Sequence, residues 1–572
     1  MRTLLAPLLL AAVAAAQSFD ELLPDTTVFY VSIENAARTR ERWAQSPLAA
    51  LLKDEAMQAF LEKPRAAWAE WIQEIRQKGE FTPEDVLDVL SGQAILAGVW
   101  PEGADEPKPL VLADIGENGE KLRELLATIE KRLVEEKGQR RDEEEFHGVN
   151  IVRYTKPDAD NAEAGCWFLD GTVFAVAQST DALKDVLARR EHKEEGTLAT
   201  RDLYRRTRGR LGARGGDFFV YVDAPNLIKG LQDSGEIDED VMRILGALGV
   251  SAIEALAFEF AIEPGGLVMR TFLGVQGPKT GLLKLLDGKN SELMPPRYAP
   301  ADALTAGAYT LDLPALYEEA RKVADRIQEG SSAQVDAMFA MVKQQTGVDI
   351  PADLIASFGS EIAYHTAAPG AANAEAGAGP MGMSRVALSI QLKDRERFEA
   401  ALDKLLGAAL PGMAAQDYLG VKLRTVPLGM GILPAIAVLP DRFLFGLVAD
   451  DVKDAIARFG KETKGLLDRE DITRALASLP AQRFGVSVED LPKSLASASS
   501  TLAGAMSLLA RSRETRKIAK VVDFSRFPSA EVLAKYLGIS VGCLVNEEDG
   551  VSYLAVLHLV PQGAGAPESG EK

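Results

Sequence analysis

The chain has 572 residues, of which 47% are hydrophobic and 26% are charged. This composition suits a folded protein and excludes a wholly disordered chain, a collagen and a disulfide-framework miniprotein, while the length favours two domains or more because single cores stop growing near roughly 250 to 300 residues. The net charge of −20 opposes non-specific binding to nucleic acid or to an anionic membrane surface, since either would repel the molecule as a whole.

The first sixteen residues have the pattern of a secretory signal peptide. Arg2 supplies a basic start, an apolar stretch covers 3–13, and the alanines at 14–16 form a small-residue cleavage site before Gln17. No later segment reaches the roughly 18 to 20 apolar residues that cross a bilayer. The sequence therefore predicts an exported protein, periplasmic or extracellular, with no membrane span after the signal is removed.

After Gln17, the hydrophobic pattern switches between the period of strands and the period of helices. Strands are predicted at 28–33, 93–99, 108–114, 148–154, 166–177 and 217–223, and helices at 119–135, 180–190 and 200–210. The helix after the first strand is expected to place these side chains on its apolar face: Trp43, Leu48, Leu51, Leu52, Met57 and Phe60. A hairpin is expected over 255–262 and 267–275. Short connections between neighbouring strands imply antiparallel pairing, so the predicted class is α+β, with helices packed on the faces of a mostly antiparallel sheet.

The strongest pattern along the chain is an internal repeat. The segment DALKDVLAR at 181–189 returns as DDVKDAIAR at 450–458, and the apolar pattern of 110–133 returns in 386–409, with Leu112 over Leu388. The matched segments keep their order, which predicts two tandem copies of one unit. The predicted organisation is a signal peptide at 1–16, copy one at 17–280, a linker at 281–302, copy two at 303–560 and a polar tail of disordered type at 561–572. Copy two carries an insertion with an Ala/Ser-rich helix at 494–510.

Four acidic residues stand where a predicted strand gives way to a helix: Glu34, Asp223, Asp312 and Glu489. A side-chain oxygen at such a position can accept hydrogen bonds from the unpaired N–H groups of the first helical turn. We therefore interpret these residues as helix caps, with catalytic carboxylates as the alternative.

The chain contains two cysteines, Cys166 and Cys543, and each lies in an apolar, strand-like run. An oxidising compartment permits disulfides, so a bridge is the alternative to consider. Because each cysteine lies in an apolar run, we predict two buried free thiols.

The opening of the mature chain reads ELLPDTTVFYVSIENAARTRERWAQSPLAALLKDEAMQAFLE. A Leu-Pro precedes a Val-rich strand, and a Trp, a Ser-Pro and a Phe follow on the first helix. In these features and in its duplication the chain resembles an uncharacterised family of exported bacterial envelope proteins, known as a domain of unknown function. The resemblance implies export and internal duplication, and it brings no activity with it.

The sequence contains few motifs that carry chemistry. The run Gly538-Ile539-Ser540-Val541-Gly542 matches G-x-S-x-G, but a nucleophile elbow needs a helix after the serine, and a strand and hairpin are expected here. The chain has four histidines, none with a metal-binding spacing: His147, His192, His365 and His558. No catalytic residue, metal or cofactor is therefore predicted.

One basic cluster stands out against the acidic chain: Arg201, Arg205, Arg206, Arg208, Arg210 and Arg214. All five tryptophans also fall in copy one, and Trp68 and Trp71 lie one helical turn apart. Arginine and aromatic side chains concentrate binding energy, so the predicted partner surface consists of Arg201, Arg205, Arg206, Arg208, Arg210, Trp68 and Trp71. The alternative is that the arginines form a solvated helix face and the tryptophans belong to the core.

These observations favour a non-enzymatic exported protein that binds or scaffolds a partner, either another envelope protein or an anionic ligand. The alternative is an envelope hydrolase with carboxylates at a cleft between the copies. Two facing acids from distant segments, in a deep pocket, would favour the hydrolase. A featureless surface between the copies would favour the binding protein.

Overall fold

A computed structural model describes most of the chain. The described residues are 17–77, 82–157, 163–191, 196–212, 215–368, 385–410, 413–426, 433–459, 464–508, 518 and 520–561. The predicted signal peptide, His192, Arg214 and the tail beyond residue 561 lie outside these ranges.

The strands are β1 Thr27–Ile33, β2 Ala94–Val99, β3 Lys108–Asp114, β4 Arg140–Phe146, β5 Val149–Thr155, β6 Glu163–Asp170, β7 Val173–Ala177, β8 Phe218–Asp223, β9 Ile253–Glu263, β10 Gly266–Val275, β11 Thr305–Thr310, β12 Phe358–Ala367, β13 Arg385–Leu392, β14 Ala414–Tyr418, β15 Val421–Thr425, β16 Ala435–Val438, β17 Arg442–Gly446, β18 Gly485–Asp490, β19 Leu537–Glu547 and β20 Gly550–Leu559.

The α-helices are α1 Ala36–Gln45, α2 Pro47–Leu51, α3 Glu55–Gln77, α4 Pro83–Val89, α5 Gly119–Lys131, α6 Thr180–Glu191, α7 Asp202–Leu211, α8 Ala224–Asp233, α9 Glu239–Ala247, α10 Leu313–Ile327, α11 Ser331–Thr346, α12 Arg395–Ala409, α13 Ala449–Arg458, α14 Glu470–Leu476, α15 Leu491–Leu508 and α16 Ala530–Leu533.

All of these strands pair antiparallel in one sheet, so the fold is α+β, as predicted. From the first edge to the centre the strand order is β4-β5-β6-β7-β3-β2-β1-β8-β9-β10. From the opposite edge to the centre it is β14-β15-β16-β17-β13-β12-β11-β18-β19-β20. Each strand of the second half therefore occupies the place of the strand numbered ten lower in the first half.

The two halves meet where β10 pairs with β20. Gly266 lies opposite His558 at one end of this pairing, and Gly274 lies opposite Gly550 at the other. Arg270 and Leu554, each the fifth residue of its strand, face each other at the centre. The register is thus the one that a two-fold axis through the middle of the pairing would produce.

Helices cover both faces of the sheet. Ala175 and Phe174 are consecutive residues of β7 and belong to different core clusters, because successive side chains of a strand point to opposite faces. Leu183 of α6 and Tyr204 of α7 pack on the face of Ala175, whereas Leu122 of α5 packs on the face of Phe174. The first half therefore has a separate hydrophobic layer beneath α4 and α5.

Several predicted elements differ from those observed. The single helix expected after the first strand is three helices, because Ser46 caps α2 and Pro47 occupies its first turn. Trp43 is 40% exposed instead of lying on the apolar face. The strand predicted at 166–177 is the hairpin of β6 and β7. Charged β4 was not predicted, since its sequence RRDEEEF has no apolar alternation.

The cap predictions are correct for two residues and wrong for two. Asp223 and Asp312 accept the backbone N–H three residues later, at the starts of α8 and α10. Asn35, not Glu34, caps α1. Glu489 lies inside β18, one residue before the end of that strand.

Cys166 and Cys543 are buried free thiols, as expected. The helix predicted at 494–510 corresponds to α15. Within the described ranges, no helix combines the length and the apolar character needed to cross a bilayer.

Candidate functional site: an apolar cavity in the first half

A cavity of about 300 Å³ lies in the hydrophobic layer beneath α4 and α5. Its floor is formed by β3, β5, β6 and β7. The lining side chains include Val86 and Val89 of α4, Leu122, Leu126 and Ile129 of α5, and Val111, Trp167, Phe174 and Val176 of the sheet. The cavity has the volume at which ligand pockets begin, and about twice that of an engineered apolar cavity that binds benzene.

The helices above the cavity follow from local sequence. Apolar residues of α5 recur at helical spacing, which turns Leu122 and Leu126 toward the sheet. Thr82 and Asp85 form a reciprocal capping box that fixes the start of α4. Asn118 then ties the two helices together, because its side-chain amide donates to the carbonyl oxygen of Val89 over 3.0 Å.

Two polar side chains in the lining already have partners. The Tyr154 hydroxyl donates to Glu130 at 3.4 Å, and the Cys166 thiol donates to the carbonyl oxygen of Ala177 at 3.5 Å. Burial raises the pKa of Tyr154, and it raises the pKa of Cys166 to about 12. Both groups are therefore neutral near pH 7, and the thiol is not an activated nucleophile.

Val86 marks the opening of the cavity, because it lines the interior and is also 51% exposed. The indole N–H of Trp68, on α3, donates over 3.2 Å to Glu84, which lies on α4 like Val86. Trp68 and Trp71 are 48% and 43% exposed, and their rings lie 4.7 Å apart. The two tryptophans of the predicted partner surface thus lie outside the core, and Trp68 contacts the first turn of α4.

The matching place in the second half has a different interior. Phe398 occupies the position on α12 that Leu122 occupies on α5, four residues after the N-cap in each helix. Its ring lies 5.2 Å from that of Phe358 and 5.4 Å from that of Phe443. Three phenylalanine rings therefore pack together there.

The predicted arginine cluster lies on α7 and just before it, and most of its members are engaged. Arg201 lies 2.5 Å from buried Asp223, and Arg210 lies 2.5 Å from Asp549 of the second half. Arg208 is 12% exposed and bonds to Glu34. Arg205 and Arg206 are more than half exposed, and their nearest acidic groups, on Asp202 and Glu254, lie 3.6 Å away.

The arginines and the tryptophans of the predicted surface lie on different elements. Helix α7 packs against β9 and β10, whereas α3 packs against the second half, where Phe60 meets Phe527 at 5.0 Å and Lys63 pairs with Asp523. Sequence reasoning did not identify the cavity, because Leu122 and Leu126 have the spacing of ordinary core residues. Only the gap between their side chains and the sheet distinguishes them.

A polar cleft of about 550 Å³ lies between the halves, where the alternative hydrolase would need its carboxylates. Two of the three acids that line this cleft have basic partners: Asp287 pairs with Lys284 at 2.6 Å and Glu547 with Arg210 at 3.5 Å, and Glu548 is the third. Lys279 also lines the cleft and donates to Asn546. A general acid needs a raised pKa. Burial raises the pKa of the carboxyl groups of Glu259 and Asp451, which do not line this cleft and bond to arginines.

As predicted, the G-x-S-x-G run is not a nucleophile elbow. Ser540 lies within β19, paired with Glu489 of β18 and Leu557 of β20. An elbow requires a sharp strand-to-helix turn at the serine. The motif is therefore part of the sheet.

No protein-family model matches the chain, and no curated protein matches it. Two solved structures, of crystal forms III and I of TP0453, are similar with TM-scores of 0.26 and 0.24 at 8% and 7% sequence identity. They cover 48% and 49% of this chain and 89% and 90% of their own chains. These TM-scores are too low to indicate a shared fold.

Proposed function

We propose that this protein is an exported, non-enzymatic binding protein of the bacterial envelope, built from two copies of one unit, whose first copy holds an apolar ligand beneath α5. The observation that carries the proposal is the cavity of about 300 Å³ with almost purely apolar walls. Export rests on the pattern of the first sixteen residues, and duplication is supported by the equal order of strands in the two halves.

The cavity is partly open to solvent, so its apolar walls meet water when no ligand fills it. Protein interiors are otherwise packed like organic crystals. A ligand that fills the space recovers dispersion contacts, which supports a role in binding.

The chemistry of the walls supports binding over hydrolysis. Tyr154 and Cys166 are neutral, and each already bonds to the protein. Hydrolysis of an envelope substrate would require an acid and a base with separated pKa values in one site. Two carboxylates between the halves, those of Asp287 and Glu547, are paired with basic side chains, as in an electrostatic contact.

The proposal is tested with benzene as a small neutral probe and the chain from residue 17 to 572. Calorimetry should detect saturable binding of benzene, and the melting temperature should rise with its concentration. Leu122→Phe places a ring where the second half has Phe398, and we expect it to weaken binding at least tenfold. Leu87→Phe is the matched control, because Leu87 is on α4 and half-exposed but does not line the cavity.

Two results would contradict the proposal. One is the absence of saturable binding to a folded chain. The other is equal binding by the Leu122→Phe variant and the Leu87→Phe control, which would place the probe elsewhere. Circular dichroism of each variant verifies that the fold is retained.

A further inference from the structure

We infer that the ligand of the cavity is an uncharged, unbranched alkyl chain of about ten carbon atoms, whose volume corresponds to roughly ten water-sized groups. This inference rests on the proposed function and adds the chemical class of the ligand. It follows from three properties of the cavity: its polarity, its length and the side chains of its walls.

The polarity excludes a charged group inside. The Tyr154 hydroxyl and the Cys166 thiol are occupied by Glu130 and by a backbone carbonyl, respectively. A carboxylate or ammonium group that entered would lose its hydration without gaining a strong partner, which is the costliest kind of burial. A polar end of the ligand would therefore have to remain at the mouth, near Val86.

The length of the cavity follows from α5 and the turn after it. Residues from Leu122 to Leu133 line the cavity along the helix. At about 1.5 Å per residue, these eleven steps span roughly 16 Å. A compact ring system would fill only part of such a length.

The walls of the cavity also favour a chain. Branched aliphatic side chains such as Val111, Leu126 and Ile129 form most of the wall, and they can adapt to a flexible chain.

The experiment compares uncharged alcohols of increasing length with one charged and one aromatic molecule. Melting temperature and calorimetry of the full mature chain are recorded with 1-hexanol, 1-octanol, 1-decanol, 1-dodecanol, decanoate at pH 8 and naphthalene. We expect affinity to rise at least tenfold from hexanol to decanol and then to stop rising. Decanoate and naphthalene should bind at least tenfold more weakly than decanol, and Leu122→Phe should weaken decanol more than it weakens benzene.

The outcomes separate this inference from the proposed function. If benzene binds but decanol does not, the ligand class is wrong and the binding function stands. Equal affinity for decanoate and decanol would overturn the absence of charge, and tighter binding of naphthalene would overturn the alkyl chain. If neither benzene nor any alcohol binds to the folded chain, both proposals fail.

Discussion

Arg208 donates through Nη2 to Oε1 of Glu34 over 2.8 Å, and its guanidinium lies 4.2 Å from the centre of the Phe219 ring. A second hydrogen bond reaches the hydroxyl of buried Tyr204. Arg208 therefore joins α7 to the end of β1 inside the first half. The sequence presents this residue as one member of an exposed basic run, whereas its contacts are those of a structural ion pair.

The substitution Arg208→Ala is expected to lower the free energy of unfolding by about 3 kcal/mol, because it leaves Glu34 without its partner in a largely buried place. The exposed neighbours supply the matched control: Arg205→Ala and Arg206→Ala should each stay within about 0.5 kcal/mol of the parent. Urea denaturation measures all three. Equal effects at Arg205 and Arg208 would show that the Glu34 pair does not stabilise the fold.

Arg205 and Arg206 also allow a test of the predicted partner surface that does not disturb the fold. Reversing the charge at Arg205 and Arg206 together leaves the Arg208 pair intact, so the variant should remain folded. Loss of an envelope partner from such a variant would locate that partner on α7.

Burial of His365 makes stability depend on pH. The imidazole lies in β12, is 5% exposed, and has its pKa lowered to about 4 by burial first and then by the charges of Arg385 and Arg458. Between pH 6.5 and 4 the unfolded chain binds a proton here that the folded chain does not bind, so stability falls as pH falls through this window. The loss attributable to this group is about 3 kcal/mol at pH 4.

The substitution His365→Leu removes this titration. Its free energy of unfolding should therefore depend less on pH between 6.5 and 4 than that of the parent, with parallel curves above pH 7. Chemical denaturation at a series of pH values measures both. Parallel curves across the whole range would mean that His365 is protonated equally in the folded and unfolded states.

The pairing of β10 with β20 predicts how the first half behaves alone. A fragment of residues 17–280 exposes the edge of β10 that normally pairs from Gly266 to Gly274. Since that register is the one a two-fold axis would give, we expect two fragments to pair through β10 and form a dimer. Light scattering after size exclusion measures the mass. A folded fragment that stays monomeric at micromolar concentration would contradict this expectation.

The processing of the chain can be measured directly. In an exporting bacterial host, the mature protein should begin at or near Gln17 and fractionate with soluble envelope contents, because the apolar stretch of the signal is short and is followed by small residues. Intact mass and N-terminal sequencing identify the cleavage point. Full-length protein with Met1 in the cytosol would rule out the signal peptide.

Local patterns in the sequence predicted most strands of the first half, several helices and the α+β class. The N-cap at Asp223 and the hairpin of β9 and β10 could be read directly, because capping and turn formation depend on neighbouring residues. The predicted correspondence between β3 and β13 was less accurate. Val111 pairs with Val176, the fourth residue of β7, and Leu388 pairs with Phe445, the fourth residue of β17. Leu388 therefore corresponds to Val111, and the expected match of Leu112 with Leu388 is out by one residue. Apolar runs on both faces of a strand do not fix its register.

By itself, the sequence determined the two buried thiols and the class of fold, since each depends on composition or on contacts within a short segment. Only the tertiary structure decided that Arg208 is paired inside the fold, that exposed Trp68 contacts α4, and that Leu122 borders a cavity. Ion pairs and cavities are relations between side chains far apart in the chain. Apolar residues recur at the same helical spacing whether the side chains opposite them fill the core or leave a cavity.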